Sequence, residues 1–310
     1  MSSPEPLVVR AYAKINLDLK ILGLLPEGYH EVRTVLQSLN LHDTLIFTEA
    51  PGPFAIRCDQ PGVPTDARNL VWRAALLLWS LRSDASAPLS GVRVTLQKRI
   101  PAEAGLGGGS SDAAATLTAL ARLWQLPLDL AGLARLGARL GADVPFFLSG
   151  GTALGTGRGD DVSPLTEPPV TPIVVVKPAF GVSTPDAYGW FDQDPKPRPR
   201  SRAAGPRTLP GWPAWAQGLR NDLEPPVASR FPQIRHTVRA LTALGAVHAA
   251  MSGSGSAVFG VFGDPELAAV AQATLAGRGE AAILTGTLPG EIVASERQRV
   301  LADNRIRRID

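Results

Sequence analysis

The chain has 310 residues, of which 45% are hydrophobic and 19% are charged, and its formal net charge is +3. This composition excludes a disordered or fibrous protein, and the length fits two domains of roughly 150 residues or one large domain. The lone Cys58 excludes an internal disulfide, and no cysteine–histidine pattern has the spacing of metal ligands. Without a signal-like N-terminus or an apolar stretch of membrane-spanning length, we expect a cytoplasmic protein that binds no membrane.

The first predicted element is a strand over residues 7–23, in which apolar and polar side chains alternate. One face is apolar and comprises Ala11, Ala13, Ile15, Leu17 and Leu19. The other face is polar and comprises Tyr12, Lys14, Asn16 and Asp18. Pro26 and Gly28 mark a turn after this strand, and residues 34–49 predict further strands.

Helices and one strand are predicted on both sides of a glycine-rich segment. In chain order we predict a helix over 69–81, a strand over 92–97, and helices over 111–124 and 130–140. Ser111 is the expected N-cap of the helix that follows the glycines, with Asp112 in its first turn. Gly141 ends the helix over 130–140.

The second half of the chain begins near Thr171 and continues this mixed pattern. The predicted elements are a strand over 173–177, a helix over 231–245, a strand–glycine turn–strand unit over 247–262, and a helix over 265–277. Residues 192–213 are rich in proline and arginine, which excludes a regular helix or a central strand and predicts a surface loop. A basic tail, residues 297–310, follows. Because strands and helices mix without strict strand–helix–strand repetition, the predicted fold class is α+β.

The segment Pro101–Ala115 (PAEAGLGGGSSDAAA) carries the strongest functional signal. Its four glycines lack Cβ atoms, so the backbone N–H groups can turn toward one anion. The serines add hydroxyl donors, and the following helix directs its positive end to the same point. These features predict a phosphate-binding loop rather than a flexible glycine turn. The loop lacks the lysine of a Walker A motif and the third glycine of a dinucleotide-binding fingerprint.

Four segments resemble the GHMP kinases, a family of small-molecule kinases, and occur in that family's order: residues 11–32, 101–114, 141–160 and 250–260. The match is closest to a branch that phosphorylates a cytidyl diphospho alcohol. The resemblance implies use of ATP and Mg²⁺ and an α+β, two-domain GHMP kinase fold with the active site in the cleft between the domains. Residues 1–168 would form an N-terminal domain like ribosomal protein S5 domain 2. Residues 169–310 would form an α/β-plait-like C-terminal domain.

Lys14 and Asp143 are the candidate catalytic pair. Lys14 lies on the polar face of the first predicted strand, and Asp143 follows a predicted helix end beside apolar residues. Each has an ordinary alternative, as a solvated charge or as a loop residue bonded to the backbone. The resemblance implies that the two converge, with Asp143 as the general base and Lys14 neutralising charge on the transferring phosphate. A lysine so placed would also keep Asp143 ionised.

The resemblance also implies two sets of binding residues. The ATP site comprises Asn69, Lys98, Pro101, Ala102, Glu103, Ala104, Gly105, Leu106, Gly107, Gly108, Gly109, Ser110 and Ser111. The acceptor site comprises Asn16, Tyr29, His30, Thr184 and Tyr188. In this arrangement Tyr29 and Tyr188 would sandwich the cytosine. The ordinary alternative for these side chains is surface solvation or packing. The Mg²⁺ ligands stay open, with Ser110 or Ser111 as a candidate hydroxyl.

The predicted reaction is phosphorylation of an alcohol group by ATP, which yields ADP. One alternative is another GHMP kinase substrate, of the homoserine or mevalonate type. A remote alternative is a nucleic-acid-binding protein, which the basic isoelectric point and the arginine-rich loop motivate. The net charge of only +3 and the 6% aromatic content oppose it. We therefore expect a small-molecule substrate, no nucleic acid, and a monomer or homodimer.

Overall fold

The computed structural model describes residues 5–82, 87–194 and 218–302. The strands in these ranges are β1 (Leu7–Leu24), β2 (His30–Pro53), β3 (Ala55–Cys58), β4 (Ser90–Gln97), β5 (Thr152–Thr156), β6 (Asp161–Pro164), β7 (Pro172–Lys177), β8 (His248–Met251), β9 (Val258–Val261) and β10 (Ala281–Gly286). The helices are α1 (Leu70–Trp79), α2 (Gly108–Leu123), α3 (Leu130–Leu140), α4 (Val144–Ser149), α5 (Thr184–Gln193), α6 (Glu224–Arg230), α7 (Pro232–Ala243), α8 (Pro265–Gly277) and α9 (Gly290–Ala302). None of these helices is long and apolar enough to cross a membrane.

The first sheet has the strand order β3-β4-β2-β5-β6, and β1 pairs with β2 outside this path. β2 is long enough to pair antiparallel with β1 along most of its length, with β5 near its start and with β4 near its end. Helices α1 to α4 cover this sheet. The core between them includes Phe47, Leu78, Leu117 and Phe146.

The second sheet is antiparallel throughout, in the order β10-β7-β9-β8. One side of it packs on helices α5 to α8 through residues such as Val174, Leu223 and Ile234. Another core lies between the two sheets, where Ile15 of β1 joins Val175 of β7. The α+β class is therefore confirmed.

The predicted strand β1 is confirmed, but bulges interrupt its alternation, and Ala11 packs in the first core whereas Ala13 lies between the sheets. Its polar face is not open to water. Lys14, Asn16 and Asp18 are 3%, 4% and 1% exposed. The glycine-rich loop, β2 and the chain before α6 cover that face and supply partners for its polar groups. Residues 34–49, expected to form several strands, lie instead within the single strand β2, because neighbouring strands pair with it over its whole length.

Helix α2 begins earlier than predicted, and Ser111 is not its cap. The N-cap is Gly107, whose φ of 74° lies in the left-handed region that favours glycine. Gly108 and Gly109 thus form the first turn, and the expected placement of Asp112 in that turn is wrong. The glycines are therefore part of the helix N-terminus rather than a loop that precedes it.

Other boundaries differ at the proline-rich segment and at the C-terminal end. Residues 192–193 of the predicted loop belong to α5, and residues 195–213 lie outside the described ranges. Residues 297–302 of the expected tail lie in α9, and residues 303–310 are outside the described ranges. α9 packs back on α2, α4 and β1, where Val300 is buried in the first core. The helices over 130–140 and 265–277 have the predicted bounds.

Candidate active site

The glycine-rich loop takes its shape from contact with residues 250–260 of the second half. Gly105 has a φ of +71°, and a Cβ atom there would lie 2.0 Å from the carbonyl oxygen of Ser252. The hydroxyl of Ser252 donates to the carbonyl oxygen of Gly105 at 2.9 Å, and the amide of Ala257 donates to that of Ala104 at 3.1 Å. This segment therefore packs directly on the loop, since only a glycine permits so close a backbone approach.

The first turn of α2 presents unbonded amide groups at the end of this loop. The amide of Ser111 makes the first helical hydrogen bond, to the carbonyl of Gly107 at 2.9 Å. The amides of Gly108, Gly109 and Ser110 precede it and have no partner within the helix. Gly109 is exposed, so this turn is open to an anion from outside.

Lys14 and Asp143, 129 positions apart, meet beside this turn: the ammonium nitrogen of Lys14 lies 3.4 Å from Oδ2 of Asp143. β1 supplies the lysine, and the short link between α3 and α4 supplies the aspartate. The Lys14 side chain is 4% exposed and that of Asp143 is 36% exposed, so the cation is enclosed while the carboxylate reaches solvent. The predicted contact is confirmed. The loop lies close, because the backbone amide of Lys14 donates to the carbonyl of Leu106 at 3.0 Å.

Asn16 orients the lysine. Its Oδ1 accepts a hydrogen bond from Lys14 Nζ at 2.6 Å, and its Nδ2 donates to the Thr34 hydroxyl at 2.8 Å. Thr34 in turn donates to the carbonyl of Asp18 at 2.7 Å. Sequence reasoning missed Thr34, because a threonine in a strand carries no distinguishing signal. Asp18 pairs with Arg33 and Lys20.

A stacked aromatic pair joins β2 to α5. His30, at the start of β2, stacks on Tyr188 of α5 with ring centroids 4.7 Å apart and an interplanar angle of 29°. Its Nε2 lies 2.8 Å from Oδ1 of Asp192. Burial, with the charge of Asp143 as a smaller contribution, raises the pKa of Tyr188 to about 12. The hydroxyl therefore stays protonated near neutral pH.

Tyr29 and Thr184 lie at the border of this region. The structure brings His30, and not Tyr29, against Tyr188. Tyr29 is 56% exposed, and the guanidinium of Arg158 lies 5.1 Å from its ring centroid. Thr184 begins α5, and its hydroxyl lies 3.1 Å from that of Ser254 in the segment that packs on the loop.

The two remaining ATP candidates are not solvated surface residues. Lys98 Nζ contacts the carboxylates of Asp43 and Asp112, and its side chain is 6% exposed. Asn69 is the N-cap of α1: its Oδ1 accepts from the amide of Val71 at 2.9 Å, and its Nδ2 donates to a backbone carbonyl. The surface-solvation alternative is thus wrong for Lys98. The α1 N-terminus lies near the loop, since Leu70 is 3.6 Å from a Cβ atom built on Gly109.

The two serines of the loop have different environments. Ser110 is half-buried, and its hydroxyl lies 3.6 Å from a Cβ atom built on Gly141, close to the link that carries Asp143. Ser111 is 2% exposed and lines an internal cavity with Tyr12 and Phe147. Among the described residues no group of three or more His, Cys, Asp or Glu side chains could hold a metal ion.

Comparison with known proteins gives matches over both halves. The model of the GHMP kinases N terminal domain matches residues 69–151, and that of the GHMP kinases C terminal domain matches residues 210–281. A 4-diphosphocytidyl-2-C-methyl-D-erythritol kinase of Synechococcus sp. (strain JA-2-3B'a(2-13)) is 44% identical over 279 residues, which cover 86% of this chain and 88% of the relative.

Two solved structures match the fold of this chain. A crystal structure of 4-(cytidine 5'-diphospho)-2C-methyl-D-erythritol kinase matches with a TM-score of 0.71 and 35% identity, covering 90% of this chain and 98% of the other. The homoserine kinase of Cytophaga hutchinsonii matches with a TM-score of 0.67 and 18% identity, covering 93% and 96%, which shows a shared fold.

A glycine-rich helix N-terminus beside a buried lysine and an accessible aspartate, in this two-sheet fold, defines a GHMP kinase, which is an ATP-dependent phosphotransferase. Within that class, the chain belongs to the 4-diphosphocytidyl-2-C-methyl-D-erythritol kinase family.

Proposed function

We propose that the protein transfers the γ-phosphoryl group of ATP to the 2-hydroxyl of 4-diphosphocytidyl-2-C-methyl-D-erythritol. The products are the 2-phosphate and ADP, and the reaction is a step in non-mevalonate isoprenoid precursor biosynthesis. The observation that carries the proposal is the Lys14–Asp143 contact beside the N-terminus of α2, and the stacked rings of His30 and Tyr188 supply a surface for a nucleobase. These features fit a phosphate donor and a nucleobase-bearing acceptor.

Asp143 is the proposed general base. Its half-exposed carboxylate can accept a proton from a bound hydroxyl, which then attacks the γ-phosphorus. Lys14 would stabilise the negative charge that develops on the transferred group. Because Asn16 and the loop enclose the lysine, its charge acts with little screening by water.

The nucleotide phosphates would bind at residues 101–111, with the amides of Gly108, Gly109 and Ser110 as donors. Mg²⁺ is expected with ATP, and the residues present fit it, because this ion often takes only one or two protein ligands and keeps waters and phosphate oxygens as the rest. Ser110 is the hydroxyl that would hold it, since Ser111 is buried away from the turn. When bound, Mg²⁺ offsets charge on the phosphates.

The acceptor would bind with its cytosine near His30 and Tyr188 and its alcohol at Asp143. Thr184 and the exposed Tyr29 would border the same pocket. Asn16 would act mainly through Lys14, because its side-chain oxygen is already bonded to that ammonium.

Turnover of candidate alcohols tests this assignment. ADP release should be followed with ATP, Mg²⁺ and, separately, 4-diphosphocytidyl-2-C-methyl-D-erythritol, homoserine and mevalonate. We expect the cytidyl alcohol to give the largest kcat/KM by at least ~10²-fold, since a site built to hydrogen-bond a base rejects compounds without one. Turnover of homoserine or mevalonate without turnover of the cytidyl alcohol would overturn the substrate assignment.

Three further expectations accompany the proposal. The domain border is placed at residues 168/169, between the last strand of the first sheet and the first strand of the second. The protein is expected to be a cytoplasmic monomer or homodimer. We expect no nucleic-acid binding, and salt-dependent RNA binding without kinase activity would contradict this.

A further inference from the structure

A buried ion cluster joins the two ends of the glycine-rich loop. Lys98, directly after β4, contacts the carboxylates of Asp43 and Asp112 through its ammonium group, the latter at 2.7 Å. The side chains of Lys98, Asp43 and Asp112 are 6%, 0% and 4% exposed. We call these three residues the Lys98 cluster.

Asp43 holds the chain that enters the loop. Its Oδ1 accepts hydrogen bonds from the amides of Arg99 at 2.5 Å and Ile100 at 2.9 Å, immediately before Pro101. Asp112 lies at the other end, one residue after Ser111. A single ammonium group therefore links the chain entering the loop to the helix leaving it.

The cluster also touches the turn that faces the nucleotide. A Cβ atom built on Gly108 would lie 3.3 Å from Lys98 Nζ, so the ammonium group lies alongside the first turn of α2. An ammonium group has three N–H donors. Within the described residues its recorded acceptors are the two carboxylates, so one donor remains.

A contribution to folding stability alone does not explain the Lys98 cluster. Two buried carboxylates share one cation, and Oδ1 of Asp112 is buried without a hydrogen-bond partner in the described part of the chain. Burial raises the pKa of the Asp112 carboxyl to about 7, against the opposing effect of Lys98. Apolar residues of similar volume would often serve a core as well or better. The geometry, which ties the loop ends together, gives the cluster a purpose beyond packing.

We propose that Asp112 is a positioning residue for ATP: through Lys98 and Asp43 it fixes the glycine-rich loop in the shape that receives the nucleotide. The inference rests on the proposed nucleotide site at residues 101–111. Asp112 does not touch ATP in this scheme. It acts by restraining Lys98 and the start of α2, which carry the donors.

The test is a comparison of Asp112→Ala with Asp112→Asn. The alanine variant loses the acceptor for Lys98, so the KM for ATP should rise ~10-fold while kcat and the KM for the acceptor alcohol change less than ~3-fold. The asparagine variant keeps an oxygen at the same place and should restore the KM for ATP to within ~3-fold of the wild type. Thr118→Val is the matched control, because Thr118 is a buried α2 residue whose hydroxyl donates to the carbonyl of Ala114 in the same helix.

Each outcome supports or overturns the proposed role of Asp112. A folded Asp112→Ala with a wild-type KM for ATP overturns the proposal, as does an equal rise in both KM values. If Asp112→Ala does not fold, Asp112→Ser replaces it, and failure of both where Thr118→Val folds assigns Asp112 a role in folding alone. Gly109→Val tests the proposed nucleotide site separately from the role of Asp112. If this variant leaves the KM for ATP unchanged, ATP does not bind at residues 101–111.

Discussion

The amide oxygen of Asn16 lies 2.6 Å from the ammonium nitrogen of Lys14, closer than the 3.4 Å between that nitrogen and Asp143. The shorter of these two contacts of Lys14 is thus with a neutral residue two positions along the same strand. The carboxylate of Asp143 therefore interacts less closely with the lysine and is available to accept a hydrogen bond from a substrate hydroxyl.

Removal of this neighbour should impair chemistry more than binding. In Asn16→Ala the lysine loses its shortest contact, so we expect kcat to fall ~10–10²-fold with the KM for ATP within ~3-fold, since a small misplacement of a catalytic group can cost that much. Thr34→Val removes the acceptor for Asn16 Nδ2 and the donor to the carbonyl of Asp18 but leaves the Lys14–Asn16 contact, so it should give a smaller fall. Steady-state kinetics with both substrates varied would check this, and an unchanged kcat in Asn16→Ala would refute the orienting role.

Replacement of the proposed base should abolish most turnover. Asp143→Asn keeps the shape of the side chain but accepts no proton, so kcat should drop ~10²-fold or more with ATP binding nearly intact. Asp264→Asn, at the N-cap of α8, is the control and should retain kcat. Single-turnover phosphoryl transfer is the measurement, and near-normal turnover by Asp143→Asn would remove it from the role of base.

The ring of Tyr188 should contribute to binding of the acceptor and not to binding of ATP. Tyr188→Ala removes a stacking surface worth ~1–3 kcal/mol per base, so the KM for the acceptor should rise ~10–100-fold while that for ATP stays constant. Tyr188→Phe retains the ring and should behave like the wild type. Tyr29→Ala tests the exposed partner in the proposed sandwich. If Tyr188→Ala leaves the acceptor KM unaltered, the pocket lies elsewhere.

Two glycines of one loop should respond differently to alanine. Gly105→Ala places a Cβ atom 2.0 Å from Ser252 O at a φ of +71°, which should cost at least about 2 kcal/mol of unfolding free energy. At Gly109 the nearest atom is a Leu70 methyl at 3.6 Å, so Gly109→Ala should keep stability and raise the KM for ATP. Urea unfolding and kinetics on both variants separate the effects. Equal loss of stability would contradict this difference in packing.

Acid should destabilise the protein partly through His248. Burial lowers the pKa of His248 to about 4, whereas the unfolded chain takes up this proton near 6.5. Between these values the unfolded state binds more protons, so stability falls as pH drops from about 6.5 to about 4, by up to about 3 kcal/mol. His248→Gln should flatten this dependence in urea unfolding across that range, and the exposed His236→Gln should not. A wild-type pH profile in His248→Gln would exclude this cause.

Sequence patterns were sufficient for elements whose signals are local. The alternating pattern in residues 7–23 predicts a strand with Lys14 and Asn16 on its polar side, although bulges interrupt the alternation along β1. The glycines and serines between two apolar segments predict the turn between β8 and β9. The meeting of Lys14 with Asp143, in contrast, was expected only from resemblance to a family, since no local rule relates positions so distant in the chain.

The Lys98 cluster shows what sequence reasoning could not supply. Asp43 and Asp112 appear in the sequence as ordinary charged residues. The register of β2 on β4 pairs Thr44 with Gln97 and so brings Asp43 beside Lys98, whereas Asp112 is buried where α2 packs on β1 and β2. The start of α2 was misplaced because serine is a common N-cap, whereas here the left-handed Gly107 begins the helix. The stacking of His30 on Tyr188 joins β2 to α5 and likewise depends on tertiary structure.

Ile15 of β1 is buried among residues of the second sheet, whereas its neighbour Lys14 contacts Asp143. Strand β1 therefore joins the core between the two sheets to the candidate active site. A rigid-body hinge that swung one sheet away from the other would expose this shared apolar layer to water, at about 25 cal/mol for each Å² uncovered. We therefore expect substrate entry and product release to use local movement of peripheral elements rather than separation of the two sheets.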